Sequence, residues 1–100
     1  MSSGSGADRD EYRSLLEHLH SALQATEELP IEPSANRWLG EAQAVVADLV
    51  TDVPEVEVLA ERLDHVDRLL GEIDDTGHPT AEDQLEEAIE TVAKLHDRLP

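Results

Sequence analysis

Apolar residues recur at three- and four-residue spacing in four separate stretches of the chain, and nowhere in strict alternation with polar ones. In the first stretch Tyr12, Leu15, Leu16, Leu19, Leu23 and Thr26 share one side of a helix. Asp8 is placed to cap it, and Asp10 and Glu11 fall in a first turn that favours negative charge. Pro30 and Pro33 stop this helix and stiffen residues 29–33. The second helix carries Leu39, Ala42, Val46 and Leu49 on its core face, with Ser34 as its expected cap. Gly40 inside that helix costs about 1 kcal/mol relative to alanine, which points to close packing there. Asp52 and Glu55 resemble a capping box, with Pro54 in the first turn of a third helix. That helix has the cleanest pattern, Val56, Leu59, Leu63, Val66, Leu70 and Ile73, and is expected to end at Thr76 and Gly77. After the His78–Pro79 turn, Thr80 is the expected cap of a fourth helix striped by Leu85, Ala88, Val92, Leu95 and Leu99.

Two of these stretches are copies of each other. PSANRWLGEAQAVVADL from Pro33 and PTAEDQLEEAIETVAKL from Pro79 align without a gap, sharing proline, alanine, leucine, glutamate and valine positions. Upstream, EHLHSAL from Glu17 echoes DHVDRLL from Asp64. A unit of long helix, turn and proline-started helix therefore occurs twice. The expected fold is all-α, an antiparallel four-helix bundle built from two similar hairpins. The alternative is a three-helix bundle in which the first helix is frayed or docks loosely. Residues 1–7, rich in Ser and Gly, are expected to form a disordered tail, and residues 8–100 a single domain.

Composition narrows the chemistry. There is no cysteine, so disulfides, thiolate metal sites and thiol catalysis are excluded. No stretch approaches the roughly 18 apolar residues of a membrane span, and the N-terminus has no apolar signal region. These features lead us to expect a cytoplasmic protein. Twenty-four Asp and Glu oppose seven basic residues, for a formal net charge of −17, and Lys94 is the single lysine. An acidic surface of this kind suits either a nucleic-acid mimic that binds a basic protein or a protein kept hydrated in molar salt. The scarcity of lysine, whose long apolar stem is a disadvantage in brine, favours the second. A direct nucleic-acid binder is opposed by the net charge and by the lack of an arginine or aromatic cluster.

The candidate catalytic groups do not assemble into a motif. Glu17-x-x-His20 is one half of a di-metal carboxylate pattern, but His65 and His96 have no glutamate three residues before them. Glu61-x-x-Asp64 resembles the second magnesium-binding element of all-α nucleotide pyrophosphohydrolases, yet Glu87-x-x-Glu90 comes after it, in the wrong order. Glu41 and Glu87 each lie about 200° round the helix from a core leucine and should face water. His18 and His65 occupy matching places in the two halves, at the edge of the core stripe. Serines occur only at the N-terminus and at Ser14, Ser21 and Ser34, and Ser34 is already assigned to a cap, so no nucleophilic triad is evident. No catalytic, cofactor-binding or metal-binding residue is assigned, and no small-molecule substrate is evident.

The two halves do differ in one informative way. Trp38 stands where the second copy has Gln84, Val45 where it has Thr91, and Val50 where it has His96. Trp38 and Val45 make a second apolar stripe on the second helix, serving either a deeper core or a docking surface. Ile31, between two prolines, and Val58 are lesser candidates for the same surface. The expected function is non-enzymatic contact with a protein partner or a second copy, with Trp38, Val45 and Ile31 at the contact. The alternatives are an acidic nucleic-acid mimic and a metal- or nucleotide-binding helical enzyme. In composition, and in the run Trp38-Leu39-Gly40-Glu41-Ala42, the chain resembles the small acidic helical proteins of haloarchaea. That resemblance implies adaptation to salt and supplies no activity.

Overall fold

In the computed structural model the backbone is described for residues 2–100 and side chains from residue 9 onward. The side chains of residues 1–8, including the expected tail, lie outside the described ones; the expected Asp8 cap is not a cap, because α1 already begins at Ser2 and Asp8 lies within it. Four helices follow in order: α1 (Ser2–Glu27), α2 (Pro33–Thr51), α3 (Val56–Gly71) and α4 (Pro79–Arg98). Each packs on two others, α1 on α2 and α4, and α3 on α2 and α4. The four thus close a ring around one core. Glu11 and Tyr12 meet Arg98, while His18 meets Glu87, so α1 and α4 run antiparallel. The bundle is the four-helix one; a loosely docked α1 is ruled out, since Leu16, Leu19 and Leu23 are fully buried.

The core is aliphatic because the chain has no Phe. Leu16, Leu19, Leu23, Leu59, Leu63, Leu70 and Leu95 are fully enclosed, each worth about 1.5–3 kcal/mol of burial. The repeat is visible in the packing. Ala35 and Ala81, Leu39 and Leu85, Ala42 and Ala88, Val46 and Val92, and Leu49 and Leu95 are buried in matching pairs. Ala22 and Leu69, beside the expected stripes, are buried as well. Val56 is 37 % exposed and Ile73 lies beyond the end of α3, so the expected seam is buried over its middle only.

The helix starts differ from expectation for one physical reason. A residue before proline avoids the helical region, so it must be the non-helical N-cap, and proline becomes the first helical residue. Glu32 (ψ 138°) and His78 (ψ 122°) are accordingly the caps of α2 and α4. Ser34 and Thr80, expected as caps, sit inside the helices; the Thr80 N–H instead donates to His78 Nδ1 at 3.2 Å. Asp52 and Glu55 form no capping box either. Asp52 ends α2 in an extended conformation, and Glu55 starts α3 without a side-chain cap bond. α3 stops at Gly71, short of Thr76. A methyl group at Gly40 would meet nothing within 4 Å, so the expected close approach there is absent.

The α3–α4 connection is held by Thr76, which is fully buried. Its N–H donates to Glu82 Oε2 at 2.7 Å, and its hydroxyl lies 2.8 Å from the same oxygen and 3.0 Å from the His78 carbonyl. The hydroxyl also accepts from the His78 N–H at 3.2 Å. Gly77 completes the turn in the left-handed region (φ 76°), its N–H bound to Asp75 Oδ1.

Candidate functional site

On α2, the residues one position before each core residue form a second row: Ser34, Trp38, Glu41, Val45 and Asp48. Because successive residues are about 100° apart, this row flanks the core stripe on one side. The lining of the surface hollows places it along the α2–α3 seam. Trp38 shares a hollow of about 320 Å³ with His65, Arg68, Leu69 and Glu72 of α3 and its end. Val45 shares another, of about 200 Å³, with Asp48, Leu49, Asp52, Pro54, Val58 and Arg62. Trp38 and Val45 thus lie on one face but in separate hollows.

Trp38 is half-buried and packs against the core without being enclosed by it. The Arg37 guanidinium carbon stands 5.6 Å from its ring centroid, a cation–π distance. Val45 is likewise half-buried, and Val58 beside it is 42 % exposed. Ile31 packs against the core from the α1–α2 connection and lines neither hollow. The structure therefore brings Trp38 and Val45 to a common face and leaves Ile31 off it.

Charges of both signs are interspersed along this seam. Arg37, His65, Arg68 and Glu72 stand at the Trp38 end, and an adjoining hollow that Trp38 also lines adds Glu32, Asp74 and Asp75. Asp48 and Asp52 gather at the Val45 end, with Arg62 on the α3 side. Sequence patterning named the two apolar residues and missed the charged groups of α3 beside them. The missing step was the antiparallel register of α2 against α3, which sets His65 and Arg68 beside Trp38 and Arg62 beside Val45.

The remaining chemistry-bearing residues are dispersed or paired. His18 Nε2 lies 2.6 Å from Glu87 Oε2, both side chains about half exposed. Glu87 therefore faces a neighbouring helix as well as water. Its carboxyl is held below the usual value chiefly by the His18 hydrogen bond; partial desolvation opposes this, and the charges of His18 and Lys94 add to it. The corresponding residues of the other half, His65 and Glu41, are both exposed and form no such pair among the described ones. His96 lies 3.4 Å from Asp64. Thr91, the counterpart of Val45, is fully buried and donates to the Glu87 carbonyl, so the α4 side of the repeat is closed by an internal bond. Among the described residues no three His, Asp or Glu side chains converge as metal ligands. No helix among them is long and apolar enough to cross a membrane.

A hollow of about 420 Å³ at the other end of the bundle is lined by Arg9, Tyr12, Val53, Pro54, Glu55, Val56, Arg98 and Pro100. Two of its polar groups are engaged internally: the Tyr12 hydroxyl donates to the Arg98 carbonyl, and the Arg98 guanidinium donates to Glu11. The α2–α3 seam is the face where aromatic, aliphatic and charged groups meet without such internal pairing.

A protein-family profile described as "Domain of unknown function (DUF8152)" matches residues 15–99. No curated protein and no solved structure matches the chain.

Proposed function

The chain belongs to the DUF8152 family, and from that premise we propose that it acts by protein–protein contact through the α2–α3 seam, without catalysis, in a salt-rich cytoplasm. The observation that carries this reading is the half-buried Trp38 with Arg37 stacked on it, on a surface otherwise dominated by carboxylates. Tryptophan and arginine are the residue types in which interface binding energy concentrates. The other half of the repeat has Gln84 and the buried Thr91 at the matching positions, so the feature belongs to one face of the bundle. The −17 charge and single lysine support adaptation to high salt.

The reading is tested by capture of the tagged protein and its companions from its own high-salt lysate, comparing three forms. A companion retained by the native chain and by Ile89→Arg, an exposed change on α4, but lost with Val58→Arg, supports the seam. Loss with Ile89→Arg and retention with Val58→Arg would move the contact to another face.

A further inference from the structure

We propose that the hollow between the start of α2 and the end of α3 docks a basic segment of a partner protein, seating one of its arginine side chains against Trp38. This rests on the reading of the α2–α3 seam as a contact surface and names the chemistry of its partner.

The hollow has a volume of about 440 Å³. Trp38 and Ile73, both half-buried against the core, give it apolar walls. Every charged residue in its lining is a carboxylate: Glu32, Glu72, Asp74 and Asp75. The start of α2 and the end of α3 carry partial charges of opposite sign, which offset, so these four side chains set the local potential. His65 and Arg68 line the adjoining hollow, and Arg37 stands over the Trp38 ring without lining either one. Among the described residues the ion pairs are His18–Glu87, His96–Asp64 and Arg98–Glu11, so no cation of the chain pairs with the four carboxylates. The repeat sets His78 and Gln84 at the places of Glu32 and Trp38, so the other half lacks both the acid and the ring.

The walls are tied together in the free chain. The Glu32 N–H donates to the Thr76 carbonyl at 2.8 Å, and Asp75 Oδ1 accepts from the Gly77 N–H at 2.9 Å. Little ordering is then required on binding. The Glu72 and Asp74 carboxylates have no hydrogen bond among the described residues and keep their acceptor oxygens for a ligand.

Arginine suits this hollow better than lysine. Its guanidinium is planar, weakly hydrated, stacks on an aromatic ring and bonds two carboxylate oxygens at once. A lysine ammonium is strongly hydrated and acts as a point charge. In about 1 M salt the screening length is about 3 Å, so only charges at bonding distance still attract. Stacking and paired hydrogen bonds then decide the contact. Two further hollows continue the seam past Arg68 to Val58, giving room for a stretch of chain and not only a free amino acid.

The test is titration of the full chain with the peptide acetyl-Ala-Ala-Arg-Ala-Ala-amide in molar KCl, followed by fluorescence of the single tryptophan. We expect a saturable change in Trp38 emission. The lysine peptide should bind at least threefold more weakly, and the citrulline peptide, similar in shape but uncharged, at least tenfold more weakly. Glu72→Gln combined with Asp74→Asn should weaken the arginine peptide at least tenfold while helicity is kept. Glu90→Gln, at an exposed acid on α4, should leave its affinity unchanged. Absence of a saturable change into the millimolar range would overturn the proposal. Equal affinity for the arginine peptide and either of the other two would do so as well, as would unchanged affinity in the Glu72 and Asp74 double variant. In any of those cases, a lysate companion lost with Val58→Arg would still uphold the seam as a contact surface for a partner of different chemistry.

Discussion

The backbone N–H of Glu32 donates to the carbonyl of Thr76 at 2.8 Å, tying together the two connections that lead into the proline-started helices. Glu32 and His78 are the residues before the matched prolines, so both copies of the repeat begin α2 and α4 at the same end of the bundle. The bond is backbone to backbone and independent of side-chain identity. It does require the α3–α4 connection to be held in place, which is the work of Thr76 and Glu82.

Thr76→Val keeps the shape of the side chain and removes its hydroxyl. The His78 N–H loses its acceptor, and Glu82 keeps only the bond from the Thr76 N–H. We expect a loss of about 1–3 kcal/mol in urea unfolding. Glu82→Gln, which retains an acceptor oxygen, should cost less than Glu82→Leu, which retains none. Equal losses for both Glu82 variants would mean that the Thr76 bonds contribute little.

Two glycines should respond to alanine with opposite signs. Gly77 has φ 76°, and a methyl group there would lie 3.2 Å from Glu32 Cγ, pressing on the residue that holds the cross-connection bond. Gly77→Ala should destabilise by about 1–2 kcal/mol. Gly40 lies within α2 with open space beyond it, so Gly40→Ala should stabilise by about 1 kcal/mol through helix propensity alone. Thermal melts of the two variants check both signs. A destabilised Gly40→Ala would show that something in solution approaches that point.

The parts of this fold that the sequence revealed are those set by periodicity within one element. Leu59, Leu63, Val66 and Leu70 repeat at helical spacing and are buried, because a helix can hide only one side of itself. The paired burial of Leu39 with Leu85 and Val46 with Val92 was likewise visible as repetition. What escaped depended on competition or on register between elements. Ser34 and Thr80 have high cap propensity, yet the neighbouring prolines moved the caps to Glu32 and His78. Thr76 is polar and in a connection, and its complete burial follows from a glutamate six residues later turning back onto it. The contact between His18 and Glu87 needs the antiparallel alignment of α1 with α4, which no local pattern encodes.

That contact gives the protein a pH signature. The Glu87 carboxyl is held below its ordinary value of 4.5, first by the His18 hydrogen bond. A carboxyl that binds its proton more weakly when folded than when unfolded stabilises the fold at pH above its unfolded value. That contribution disappears as pH falls through the lower folded value. Other carboxylates titrate in the same range, so the informative quantity is the difference between native protein and Glu87→Gln. We expect this difference in urea-unfolding free energy to be largest above pH 5 and to shrink steadily below pH 4.5. It should also be smaller in molar salt, since both groups are partly exposed. A difference that is flat with pH would remove the pair as a source of acid sensitivity.

The net charge of −17 supplies the last prediction. The core is small and aliphatic, and most of the carboxylates sit on the helix faces opposite it, where they repel each other. At about 0.1 M salt the screening length is about 10 Å, comparable to the distance between neighbouring faces; at about 1 M it is about 3 Å, and only adjacent charges still interact. The melting temperature should therefore fall as KCl is lowered from molar to millimolar. A salt effect on apolar burial would raise the melting temperature too, so the cause must be separated from the observation. Glu57→Lys, Asp67→Lys and Glu90→Lys change exposed positions without touching the core. If repulsion is the cause, the triple variant should be more stable than the native chain in dilute salt and no different in molar KCl, flattening the curve from its low-salt end. If apolar burial is the cause, native and variant curves should run parallel, and the carboxylate surface would have no role in the salt requirement.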